Sequence, residues 1–127
     1  MKEFVLIFRM DILTPEAQPS IEQMEGYMKD WMEWINDISD HGQLAEGSNH
    51  LSNSGTVLRS TDRMTGEPYT INNESVSGYI LILAKDRNDA LRIAKKCPIL
   101  QGEGTSLEIR ETATPGDMKD SKQTKNI

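Results

Sequence analysis

The chain has 127 residues, 14 of them Lys or Arg against 20 Asp or Glu, for a formal net charge of −6. That length supports one hydrophobic core and is too short for two independent ones. The acidic balance repels phosphate backbones and anionic bilayers, so neither nucleic acid nor a membrane is an expected partner.

Residues 3–9 carry Phe4, Leu6 and Phe8 on one side and Val5 and Ile7 on the other, the pattern of a central strand covered on both faces. This apolar stretch is too short for a signal-peptide core and lacks a small-residue cleavage site. No later stretch has the apolar length of a membrane span, so a cytoplasmic location is expected. Thr14-Pro15 and Pro19-Ser20 punctuate a loop, and Ser20 with Gln23 three residues later predicts a capping box. Beyond it Met24, Met28, Trp31, Ile35 and Ile38 recur every three or four residues, which predicts an amphipathic helix whose apolar stripe is widened by Tyr27 and Trp34. Its other face is acidic, with Glu22, Glu25, Asp30, Glu33, Asp37 and Asp40 against Lys29, and His41-Gly42 supplies the stop.

Residues 44–51 read as a weak strand, and Asn53-Ser54-Gly55 as a turn before a short run at 56–60. A polar excursion follows at 62–73, containing Thr65-Gly66-Glu67-Pro68 and a short strand expected around Tyr69. Residues 76–84 form the second strong strand, apolar on both sides and expected beside the first. Asp86 caps a second helix through Asp89, with Ala90, Leu91, Ile93, Ala94 and Cys97 on its buried side until Pro98 ends it. Gly102 and Gly104 mark a loop, after which Leu107 and Ile109 alternate with Glu108 and Arg110 in a half-exposed last strand. Residues 112–127 have too little apolar surface to offset the cost of ordering them, so a flexible tail is expected after a domain over 1–111.

The elements run β-α-β-excursion-β-α-β, which predicts an α+β fold of ferredoxin-like βαββαβ type with an inserted hairpin or loop and both helices on one face of an antiparallel sheet. Two strands apolar on both sides leave the other face to be covered. A second copy of the chain is the simplest cover, so a homodimer is expected.

Taken together, the pieces resemble the YCII-related (DGPF-type) family, whose members share an N-terminal strand, an aromatic-rich helix ending in glycine, a Gly-Pro-Phe-containing loop and a second helix ending in Cys-Pro. The matching pieces are Phe4-Val5-Leu6-Ile7-Phe8, Gly42-Gln43-Leu44, Pro68-Tyr69 with Glu74, Gly78-Tyr79, Asp89-Ala90-Leu91, Ala94-Lys95-Lys96-Cys97-Pro98 and Leu107-Glu108-Ile109-Arg110. They cover most of residues 1–111. Where the family reads Asp-Gly-Pro-Phe this chain has Gly66-Glu67-Pro68-Tyr69, and the helix position at which many relatives carry a histidine corresponds to Trp31. The resemblance implies a dimeric α+β barrel, two ferredoxin-like units packed sheet against sheet with pockets between sheet and helices. An activity proposed for some relatives uses a His and Asp pair, which Trp31 interrupts.

Trp31 and Trp34 suit either a ligand pocket or the core, since indoles bring large apolar contact and one donor each. Met24, Met28 and Met32 read as core gap-fillers. Arg9 can offer a guanidinium to a carboxylate ligand or pair with the acidic helix. His50 is a general-base candidate because an unperturbed imidazole titrates near neutrality, but proton transfer also requires a partner within hydrogen-bond reach. Glu67, Tyr69 and Glu74, in the loop that resembles the family signature, and Tyr79 beyond it complete the ligand-binding candidates; a loop that merely holds a dimer together would use the same residues.

No metal or cofactor is expected, because His41, His50 and Cys97 lack zinc-site spacing and no glycine-rich phosphate loop is present. For haem, His50 is the sole candidate axial ligand. Cys97, the single cysteine, cannot form a disulfide within the chain, suits a reducing compartment and reads as a buried structural thiol. The functional expectation is a homodimer that binds a small organic molecule between sheet and first helix, with acid-base chemistry open. The alternative is a non-catalytic dimeric module that acts through a protein partner.

Overall fold

A computed structural model describes residues 1–61 and 63–113, so the tail expected at 112–127 falls outside the described residues from 114 onward. The alternation in the first strand is realised over β1 (Lys2–Asp11), where Phe4, Leu6 and Phe8 are buried while Val5 and Ile7 are half-buried on the reverse side. The chain continues through α1 (Ile21–Asp40), β2 (Leu44–His50), β3 (Val57–Leu58), β4 (Met64–Thr65), β5 (Glu74–Ala84), α2 (Arg87–Ala94) and β6 (Thr105–Glu111). Four strands make one sheet in the order β2-β5-β1-β6, with each neighbouring pair antiparallel, while β3 and β4 form a separate two-stranded ribbon. The fold is α+β, and the two strongly apolar strands are its adjacent central strands. No described helix is long and apolar enough to cross a membrane.

Both ends of α1 close as their local chemistry dictates. At the start, the Gln23 amide donates to Ser20 Oγ at 3.1 Å and the Ser20 amide donates to Gln23 Oε1 at 2.9 Å, the reciprocal capping box. At the end, Gly42 takes φ +67°, its amide donates to Ser39 O at 2.9 Å and the Gln43 amide donates to Ile38 O at 3.0 Å, a Schellman closure that calls for a residue without Cβ. The Asp86 carboxylate caps α2 by accepting from the Asp89 amide at 2.9 Å.

Three expectations are corrected. The short strand of the polar excursion lies at Met64–Thr65, paired with Val57–Leu58, and not around Tyr69, whose carbonyl instead accepts from Ser75 Oγ at 2.8 Å. Helix α2 stops at Ala94 well before Pro98, and Cys97 leads into a separate 3-10 turn, Pro98–Gln101. Leu91 is half-buried, not part of the buried side.

The core lies between the sheet and the two helices. Phe4, Leu6, Phe8, Ile80, Ile82 and Ala84 of the central strands meet Trp34 and Ile38 of α1 and Ala90, Ile93 and Ala94 of α2. Cys97 is buried with them, and burial pushes its thiol up to about 12, which leaves it inert as a nucleophile. The reverse side of the sheet carries Val5, Ile7, Tyr79, Leu81 and Leu83, all half-buried, beside the polar flank of β6.

A polar knot ties the end of α1 to α2. Buried Gln43 donates through Nε2 to Leu83 O at 3.2 Å and to Asp89 Oδ2 at 3.1 Å, and the same Oδ2 accepts from the Lys85 amide at 3.0 Å. The Lys85 amide and then the Arg92 guanidinium hold the Asp89 carboxyl below its ordinary value of 3.8. A depressed carboxylate stabilises the fold above its unfolded value and loses that contribution as pH falls through its folded value. Asp89→Asn is therefore expected to lower stability at neutral pH and to flatten the acid limb of the unfolding profile below 3.8; an unchanged acid limb in urea melts would show that this knot does not couple to folding.

Candidate ligand pocket

Two bulges shape the space beneath the first half of α1. In β5, Phe8 pairs with Gly78 and Arg9 with Val76, so Ser77 is the extra residue; its hydroxyl donates to Phe8 O at 3.3 Å and its carbonyl accepts from the Leu51 amide at 2.8 Å. In β2 the register jumps between Ala45 and Asn49, with Gly47 at φ +111°, and the irregularity brings Asn49 and His50 opposite Tyr79 and Gly78. Together these turn His50, Leu51 and Ser77 toward the space left beyond Phe8.

A cavity of about 510 Å³ results, walled by Phe8 and Met10 of β1, Met24, Tyr27, Met28 and Trp31 of α1, and His50 and Leu51 after β2. Pro98, Ile99 and Thr105 close its far end. The volume lies in the range typical of small-molecule sites. Trp31 meets Phe8 edge-on, centroids 4.8 Å apart at 72°, and His50 at 6.0 Å. Its rim is polar and acidic: Asp11, Glu16, Gln18, Gln23 and Glu103.

The rim is held by its own hydrogen bonds. Asp11 Oδ1 accepts from the Leu13 amide at 2.8 Å and the Thr14 amide at 3.0 Å, and Gln18 Nε2 donates to Asp11 O at 2.8 Å. Thr14, first through its amide and then its side chain, and the Leu13 amide hold the Asp11 carboxyl below its ordinary value of 3.8. On the other side, the Asp11 amide donates to Gly104 O at 3.1 Å, and Thr105 Oγ1 lies 2.6 Å from Ile99 O.

Of the candidates read from sequence, Trp31 and His50 line this cavity. Trp34 does not: it is 5% exposed in the core, and its Nε1 donates to Ile93 O at 3.0 Å. Arg9 is on the reverse face and pairs with Glu108 of β6 at 2.7 Å, so its partner is neither a pocket ligand nor the acidic helix. Tyr79 shares that reverse face, opposite Ile7, and Glu74 accepts from Ser106 Oγ. Glu67 is exposed, and Tyr69 lies under the Arg59 guanidinium at 5.4 Å, beside a separate shallow hollow formed with Pro68 and Val76. Glu67, Tyr69 and Glu74 therefore do not converge on the cavity.

The methionines are also reassigned. Met24, Met28 and Met32 are 45%, 50% and 53% exposed, and the first two are pocket wall instead of core. Sequence reasoning missed Met10, Asp11, Tyr27 and Ser77 as lining. Met10 had a signal, since it continues the alternation of Phe4, Leu6 and Phe8; Ser77 had none, because its orientation follows from the bulge.

The arrangement suits binding. An aromatic and thioether wall offers contact to an apolar body, and rim oxygens can accept hydrogen bonds from a polar end. Among the described residues no side chain is hydrogen-bonded to the His50 imidazole, and no three His, Cys, Asp or Glu side chains gather as metal ligands. No protein-family model matches the chain, and no curated protein sequence matches it.

Proposed function

We propose that this chain is a YCII-related protein of ferredoxin-like topology that forms a homodimer through the reverse face of its sheet and binds a small organic molecule in the cavity under α1. The observation that carries the binding is the cavity of about 510 Å³ walled by Phe8, Tyr27 and Trp31. Support for the topology comes from the strand order β2-β5-β1-β6, in which the first and last strands of each βαβ half flank a strand from the other half. Support for the dimer comes from Val5, Ile7, Tyr79, Leu81 and Leu83, a contiguous apolar strip on two central strands that monomeric proteins seldom leave wet.

The chain holds two indoles, Trp31 in the cavity wall and Trp34 in the core, and their Nε1–H resonances separate the two environments. Titration with uncharged indole is expected to move the Trp31 resonance and leave that of Trp34 in place, and Trp31→Ala is expected to weaken indole binding at least about tenfold. Saturating indole with no movement at Trp31 would end the pocket reading. Sedimentation at micromolar concentration tests the dimer separately: a folded lone subunit would end that part.

A further inference from the structure

Resting on that pocket reading, we infer that the occupant is a cationic amphiphile, an aromatic or branched apolar body that ends in a protonated amine. The body is assigned by the wall, where Tyr27, Trp31 and Phe8 offer ring surface and Met24 and Met28 supply polarizable side chains that adapt to shape.

The charge is assigned by the rim. Asp11, Glu16 and Glu103 all line the cavity, and its lining contains no Lys or Arg. None of these three carboxylates is ion-paired among the described residues, where the ion pairs are those of Lys2, Arg9, His41, Arg92 and Arg110 with other acids. The acids also come from three separate places in the chain: the end of β1, the 3-10 turn Pro15–Ala17, and the loop before β6. They line one cavity because the fold brings those segments around it.

Asp11 is kept ionised by the amides that it accepts from, so its charge persists through the neutral range. An ammonium entering this mouth meets acceptors with no cation to displace, and the aromatic wall attracts it further through the ring quadrupoles. A carboxylate or phosphate of the same size meets three like charges and a chain of net charge −6.

Three probes that share one indole body and differ in charge test this: tryptamine, uncharged tryptophol and indole-3-acetate, followed at the Trp31 resonance. Tryptamine is expected to bind best and indole-3-acetate worst, with about a tenfold span that shrinks as salt is raised. The double variant Glu16→Gln with Glu103→Gln, both at exposed positions, is expected to remove most of that span, and its unfolding midpoint reports an intact fold. Equal affinities or a preference for indole-3-acetate would overturn the cationic assignment, and a span that survives in the double variant would overturn the assignment of that preference to Glu16 and Glu103, in each case leaving an indole-binding pocket standing. Silence from all three probes would overturn the pocket reading itself.

Discussion

Replacing Trp34 by alanine is expected to destabilise the fold by about 3–5 kcal/mol, read as a fall in the urea midpoint with little change in slope. The indole is 5% exposed and sits where α1 meets α2 and the sheet, with Phe8 at 6.1 Å and Trp31 at 5.4 Å, both edge-on. Its removal combines lost transfer energy, a cavity that rigid strands cannot fill, and the loss of the Nε1 hydrogen bond to Ile93 O at 3.0 Å, a carbonyl that keeps the longer bond from the Lys96 amide at 3.3 Å. Trp34→Phe retains most of the apolar bulk and isolates the donor, for which about 1–2 kcal/mol is expected. A loss under about 1 kcal/mol for the alanine variant would show that the core does not depend on this contact.

The second large effect is expected at Gly78, on the border between core and pocket. A Cβ added there would lie 2.8 Å from the backbone oxygen of Asn49 and 3.3 Å from His50 Cα. Both are main-chain atoms in a paired strand, so the clash cannot be relieved by turning a flexible side chain. Gly78→Ala is expected to cost about 1–3 kcal/mol and to push β2 outward, which displaces His50 and weakens indole binding. Gly26→Ala provides the contrast: nothing lies within 4 Å of its Cβ position in the second turn of α1, so a gain of about 0.5–1 kcal/mol is expected from helix propensity. If the two variants changed stability alike, close packing of β2 on β5 would not be the reason for glycine at 78.

What could be read from sequence was what local chemistry decides. Ser20 and Gln23 mark the start of α1 through a bond pair three residues long, and Gly42 marks its end through a single left-handed residue. The central strands announced themselves because both of their faces are apolar. The pocket was harder. Periodicity identifies the apolar stripe of α1 but not which half of a helix about 30 Å long is roofed by sheet. Trp34 and Ile38 fall over the strands, whereas Met24 and Met28 overhang a space defined by loops from distant parts of the chain. The partner of Arg9 was hidden for a related reason: Glu108 is 99 residues away and adjoins it only through the register of β1 with β6. Ser77 and Gly47 depend on bulges, which shift the side a residue faces without altering the composition around it.

The same irregularity in β2 bears on solubility. As an outer strand of the sheet, β2 would present a straight row of unclaimed amides and carbonyls if its ladder ran evenly from Leu44 to His50. Its break around Gly47 interrupts that row, so an incoming foreign strand finds no continuous template along which to zip. The bend that helps to shape the cavity thereby also discourages fibrillar growth.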